Sequence, residues 1–464
     1  MHHPKILASL LALVLLTAGA AFGQQADFSK YVALGDSLTA GVSSGSLNRT
    51  YQVNSYPALI YRQATGNSTG FEQPLVSEPG LPGILVLRNL APLSITPTQG
   101  TGQPLNLNLP RPYDNMAIPI ARLHDLLTKT QSTSASDPTD LILRRLGATQ
   151  LQQGLSLRPT FVTLWIGNND ALAAATSGVV IEGVTLTPLT QFEADYRAVA
   201  AAIASTGAKM AIANIPNVTS IPFVTTLSRF VPNPATGQPV LINGQPVPLI
   251  GPNGQLQQGD FVLLTASAEL AQGRGIPAAL GGSGQPLSDS VVLSAAEAAT
   301  IRDRVNNYNN VIRTVANERN AAFVDANAIL QDLSVSGINI GGITYNSAFL
   351  TGGVFSYDGV HPTAFGYAYI ANLFIEAIND KFGNDIEPIN LYPFVFGTPA
   401  ASTAAVSSNA AIDESVTQFT DFVFTGEARR NLLLMLGVPK WIVDGTQPDG
   451  AKPPRKPRRT RNNG

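Results

Sequence analysis

"VALGDSLTAGVSSGS", residues 32–46, decides how the rest of the chain is read, because two of its serines stand in settings that suit a nucleophile. Ser37 lies in Gly35-Asp36-Ser37-Leu38, and Ser43 lies in Gly41-Val42-Ser43-Ser44-Gly45, which fits a GxSxG elbow. An elbow needs a strand directly before it and a helix directly after, since the tight turn is what lifts the hydroxyl out of the sheet. The apolar run 31–34 ends beside Gly35, so Ser37 is the serine delivered to the carboxyl edge, where open α/β sheets bind their ligands. Ser43 comes too late after that run and reads as a loop residue.

Working outward, four more short apolar runs read as buried strands: 115–118, 160–166, 209–213 and 321–324. Helical patterns fall between several of them. An alanine-rich stretch at 195–205 runs into the fourth strand, and 294–319 opens on a Ser294/Glu297 capping box and runs into the fifth. A last core helix is expected from near Pro362, with Ala364, Ala368, Ala371, Ile375 and Ile378 at helical spacing and Gly383 at its end. Alternation of strand and helix predicts an α/β fold, a doubly wound parallel sheet with helices on both faces.

The chain has 464 residues, 44% of them hydrophobic, which suffices for a large core; 13% are charged, and 41 Gly and 33 Pro predict many turns and long connections. Two stretches interrupt the α/β pattern. Residues 66–112 form a loop-rich insertion, and residues 220–290, containing "PNPATGQPVLINGQPVPLIGPNGQ", form a β-rich one, readable either as part of a substrate mouth or lid or as a surface embellishment. The expected division is a leader at 1–23, a main α/β body at 24–395, an extension at 396–445 with a helix near 428–436, and a basic disordered tail at 446–464.

"MHHPKILASLLALVLLTAGAAFGQQ" places Lys5 before an apolar run that dissolves into small residues, with Ala21 and Gly23 suited to cleavage before Gln24. That is the pattern of a secretory signal peptide rather than a membrane anchor, so the protein is expected to be exported to a periplasm or the medium. Absence of cysteine removes disulfides, thiolate metal sites and a cysteine nucleophile. The formal charge of −2 conceals six cations between Lys452 and Arg461 against Asp449, a net +5 that leaves −7 elsewhere. Nothing in the body therefore points to nucleic acid, while the tail is available to an anionic surface. Oligomeric state is not legible in the sequence.

A serine hydroxyl at neutral pH needs a neighbouring base, and histidine suits that work. Of the four histidines, His2 and His3 fall in the leader, and His124 in "ARLHDLL" reads as a surface or packed residue. His361 stands in "YDGVHPTAFGYAYIA" with Asp358 three residues earlier, a carboxylate able to accept from imidazole Nδ1 and fix the tautomer. "WIGNND", 165–170, ends the third strand at the same sheet edge and offers an asparagine amide to a developing oxyanion.

In this order and each after a strand-like run, GDSL, GxND and DxxHP resemble the blocks of the GDSL, or SGNH, hydrolase family. The resemblance covers roughly residues 30–385 and implies a flavodoxin-like parallel sheet. It also implies Ser37 as nucleophile and one oxyanion amide, Asn169 as side-chain oxyanion donor, His361 as base and Asp358 as its orienter. "YDNMAIPIARLHD", 113–125, resembles the second block but carries Ile120 where an oxyanion glycine is expected. The Ile120 amide still has an N–H to donate, while its bulk is expected to narrow the acyl side of the pocket or force a different backbone angle.

The reaction so implied is hydrolysis of a carboxylic ester, of a lipid or an acylated carbohydrate, through a covalent acyl-enzyme and without metal or organic cofactor. Acyl transfer to an alcohol would use the same residues. An exported binding protein on an idle hydrolase scaffold is the reading from another class, since fold alone does not prove function.

Overall fold

A strand buried on both faces must be apolar at successive positions, and the central runs of this chain are. The computed structural model describes residues 25–90, 93–234 and 236–396, together with 430, 433, 434, 436 and 438–446. It forms four of the expected runs into parallel strands: β1 (Tyr31–Gly35), β2 (Phe161–Trp165), β3 (Lys209–Ala213) and β4 (Ala322–Val324). They lie side by side in the order β1-β2-β3-β4.

The fifth expected run, 115–118, is too irregular to count as a full strand, yet it follows the free edge of β1. Ala33 N–H donates to Asp114 O, Met116 N–H to Ala33 O and Ile118 N–H to Gly35 O, at 2.9, 3.0 and 3.1 Å. Counted with it in chain order, the ribbons run second, first, third, fourth, fifth, the flavodoxin-like order. Successive strand residues face opposite cores. Val32, Leu34, Val162, Leu164, Met210 and Ile212 join one buried cluster, and Tyr31, Ala33, Phe161, Trp165, Ala211 and Ala213 join the other.

Helices cover both faces. The first cluster takes in α5 (Leu189–Ala204), with Phe192, Tyr196 and Val199, and α6 (Ala295–Glu318), whose capping box on Ser294 and Glu297 is formed. α5 begins six residues before the sequence pattern suggests, because "LTQFEA" supplies Phe192 to the core while Pro188 leads into the first turn. On the other face α2 (Tyr56–Thr65) and α7 (Ala364–Phe382) pack together, and small residues Ala368 and Ala371 let α7 approach the alanines of the sheet. Thr363 caps α7 by accepting from Gly366 N–H, so the helix starts just after the Pro362 expected to open it. Gly383, at φ +68, ends it.

Both insertions frame one end of the sheet. Residues 66–112 bond to the segment after Ser37, through Leu85 N–H to Ser44 O at 2.9 Å and Ser46 Oγ to Pro82 O at 2.6 Å. The stretch 220–290 holds two-residue ladders and a cluster of Val231, Leu249, Leu256, Val262 and Leu287, which Val291 just beyond it completes. Its first turn meets the His361 loop, where Phe223 N–H donates to Gly359 O at 2.9 Å. Leu241 and Ile242, at a hairpin tip of the same insertion, stand in solvent.

Near the carboxyl end, Leu433, Leu436 and Val438 are buried in the first core cluster. Of the expected helix at 428–436, residues 430, 433, 434 and 436 are described; the first three are helical and Leu436 lies in a turn. The leader at 1–23 and the basic tail beyond Thr446 lie outside the described residues. Among the described residues no helix is long and apolar enough to cross a membrane, and no acidic or histidine cluster could hold a metal ion.

Candidate active site

Gly35 ends β1 where any side chain would collide: a Cβ there would lie 2.4 Å from Trp165 O and 2.2 Å from Thr39 Oγ1. The chain then turns at once into α1 (Ser37–Ala40), with Asp36 as its cap, accepting from Leu38 N–H at 3.1 Å. Ser37 is thus set at the carboxyl edge of β1, 5% exposed. Ser43 instead pairs with Ser46 across a tight turn, and its hydroxyl is committed to Pro362 O at 2.9 Å.

His361 is 1% exposed and Asp358 fully buried, and His361 Nδ1 lies 2.8 Å from Asp358 Oδ2. Five donors converge on that carboxylate. Oδ2 takes the ring and Gly45 N–H; Oδ1 takes Ser356 Oγ–H, Val360 N–H and His361 N–H. Burial pushes the Asp358 carboxyl up, but the His361 charge and these hydrogen bonds together hold it below the usual carboxylate range. His361 Nε2 is buried and has no hydrogen-bond partner among the described residues.

The serine and histidine segments are tied together along their length. Ser44 N–H donates to Ser356 Oγ at 2.8 Å, Ser43 Oγ–H to Pro362 O at 2.9 Å and Tyr367 O–H to Val42 O at 2.6 Å. Asp36, next to Ser37, is close enough to His361 to feel its charge. The segments that carry Ser37 and His361 are therefore held together at one sheet edge although 324 positions separate the two residues. No hydrogen bond joins Ser37 Oγ to His361 Nε2, a looseness ordinary for such pairs before substrate binds.

The "GNND" turn follows β2 at the same edge. Gly167 takes φ +111, a backbone angle L side chains avoid, and a Cβ there would meet Phe192 and Ile215 at 2.9 Å. Asn168 Nδ2–H donates to Asp36 Oδ2 at 2.8 Å, Asn169 Nδ2–H to Ala121 O at 2.9 Å, and Asp170 Oδ2 accepts from Leu123 N–H at 2.9 Å. Burial pushes the carboxyls of Asp36 and Asp170 each up to about 6.

Ile120 has φ +67, the left-handed angle a glycine would take without cost. The isoleucine has therefore not forced a different backbone angle at this position. Its N–H and that of Ser37 enter no hydrogen bond among the described residues. The Asn169 amide has a second hydrogen beyond the one held by Ala121. Three donors thus stand uncommitted around the carboxyl ends of β1 and β2.

The sequence signals Ser37, Ile120, Asn169, Asp358 and His361, and the structure gathers all five at one edge. It does not signal Asp36 with Asn168, Asp170 with Leu123, or Ser44, Gly45 and Ser356 beside Asp358. Asp36 and Asp170 were inside the quoted motifs, but their partners lie 132 and 47 residues away. His124 is half-exposed and pairs with Asp195 at 3.0 Å.

A family model described as GDSL-like Lipase/Acylhydrolase matches residues 31–374. Similar solved structures include a catalytic mutant of Axe2, an acetylxylan esterase from Geobacillus stearothermophilus, at 13% identity over 75% of this chain and 93% of that one, TM-score 0.32. Others are the acetyl xylan esterase AlAXEase, at 16% identity, 75% and 98% coverage and TM-score 0.32, and LAE5, an alpha/beta hydrolase enzyme from the metagenome of Lake Arreo, Spain, at 14%, 78% and 99%, TM-score 0.33. No curated protein matches.

Proposed function

The chain belongs to the GDSL-like lipase/acylhydrolase family and is a carboxylic ester hydrolase, and we propose that it acts through a covalent acyl-enzyme on Ser37. His361 Nε2 takes the Ser37 hydroxyl proton as Oγ attacks the ester carbonyl carbon. The C=O pair moves onto oxygen, and the Ser37 amide, the free hydrogen of the Asn169 amide and the Ile120 amide receive that oxyanion. Collapse of the tetrahedral intermediate breaks the C–O bond to the alcohol, which leaves with the proton from His361. Water, deprotonated by the same nitrogen, then releases the carboxylic acid and restores Ser37.

The observation that carries this reading is the state of the His361 ring. Nδ1 is engaged by a carboxylate that is held in its charged form, so Nε2 is the basic nitrogen, and it is buried with no partner among the described residues. Each oxyanion donor is worth about 3 kcal/mol of barrier. On this reading the substrate is an ester of a lipid or an acylated carbohydrate, met outside the cytoplasm after residues 1–23 are removed.

A fluorophosphonate probe tests the reading. The wild-type protein is expected to be labelled on the peptide containing Ser37, and Ser37→Ala to be folded, unlabelled and inactive on nitrophenyl acetate. A folded wild-type protein that hydrolyses the ester but takes no label, or a Ser37→Ala variant that keeps full activity, overturns it. An added acceptor alcohol separates hydrolysis from acyl transfer by the product formed.

A further inference from the structure

A β-branched residue in the left-handed region is strained and persists only where its surroundings impose it. Ile120, at φ +67, is so imposed upon. Pro119 precedes it; on its other side Ala121 O is bound by Asn169 Nδ2–H and Leu123 N–H by Asp170 Oδ2, while Ala121 N–H closes back on Ile118 O at 3.1 Å. The strained angle brings the core no return. Ile120 is only part-buried and joins none of the apolar clusters, whereas Ile118, Ala121 and Leu123 around it are fully buried in one.

Its place relative to the chemistry follows from covalent geometry. An amide that donates to an oxyanion has its nitrogen about 3 Å from that oxygen, and Cβ of the same residue lies roughly 2.5 Å from the nitrogen. The branched carbons of Ile120 therefore stand within a few ångströms of the reacting carbonyl, where the first carbons of an acyl chain must lie. We propose that Ile120 is the specificity-determining residue of this site, its side chain closing the acyl side so that esters of short acyl groups, acetyl-sized, are preferred. The proposal rests on the acyl-enzyme reading of Ser37.

The test holds the alcohol constant and varies the acid. Wild type, Ile120→Gly and Ile120→Ala are assayed for kcat/KM on nitrophenyl acetate, butyrate and octanoate. Glycine takes the left-handed angle freely and keeps the N–H, so the donor survives while the branches go. The octanoate-to-acetate ratio is expected to rise at least about tenfold in Ile120→Gly, the effect of one or two methylenes in an apolar pocket, and by less in Ile120→Ala, where the angle remains strained. An unchanged ratio in both folded variants, or loss of activity on all three esters in Ile120→Gly, overturns the proposal. Failure of the underlying reading is seen separately, as activity that survives Ser37→Ala.

Discussion

Gly45 and Asp358, 313 positions apart, are joined by a 2.7 Å hydrogen bond from the Gly45 amide to the same carboxylate oxygen that takes the His361 ring. One oxygen thus both orients the base and fastens the segment after Ser37 to the base's loop. The separation of nucleophile and base is set through backbone rather than by either side chain alone.

Asp358→Asn follows from that arrangement. All five groups facing the carboxylate are donors, so an amide must turn its NH2 against at least one of them. The expected outcome is a fall in kcat/KM of about 10³–10⁴, as when an orienting carboxylate is lost from a serine–histidine pair, with a lowered melting temperature. Steady-state kinetics on nitrophenyl acetate beside thermal denaturation checks both. A loss of tenfold or less would remove Asp358 from the role of orienter.

Gly35→Ala is a stability prediction. The added methyl would sit 2.4 Å from Trp165 O, a backbone atom in the neighbouring strand that cannot swing aside. Overpacking against backbone costs about 1–3 kcal/mol or more, and it falls on the strand end that positions Ser37. Reduced soluble yield or a melting temperature several degrees lower is expected; a variant as stable as wild type would show that β1 and β2 can separate at this point.

What was legible in the sequence was whatever short-range pattern dictates. Four strand runs, the Ser294/Glu297 box, the opening of α7 near Pro362 and its end at Gly383, and the Asp358–His361 spacing each depend on residues a few positions apart. The irregular path of 115–118 was less legible, since its hydrogen bonds to β1 are decided by a partner some eighty residues earlier. The early start of α5 was missed because Phe192 is drawn in by the tertiary core, past the alanine-rich stretch that carries the local signal. Ile120 stood out by type, but its backbone angle is fixed by Asn169 and Asp170, and a single sequence does not write such cross-chain bonds down.

Asp36 gives a prediction in pH. Its folded pKa is raised by burial from 3.8 to about 6, so between those values the folded state binds more protons than the unfolded one. Stability from this group is present below about pH 4 and is lost as pH rises through about 6, some 3 kcal/mol in all. Asp36→Asn removes the titration. The melting-temperature difference between variant and wild type is therefore expected to shift in the variant's favour from pH 4 to pH 7, and a difference that stays flat with pH would contradict the raised value.

Asp170 is argued as a positioning residue for the Ile120 amide, since its Oδ2 holds Leu123 N–H at 2.9 Å while touching no reacting atom. Asp170→Ala leaves that buried N–H without an acceptor, at a cost of about 1–3 kcal/mol, and frees one side of the strained segment. Ile120 should then relax away from φ +67, so that its amide turns from the oxyanion. The expected result is a kcat lower by roughly 100-fold, the scale of one lost donor, with KM little changed. Asp170→Asn keeps an oxygen for Leu123 and sheds the buried charge, so it should restore most of kcat. Equal losses in the two variants would point instead to a need for the charge itself, and an unaffected kcat in Asp170→Ala would leave the Ile120 segment held by Asn169 alone.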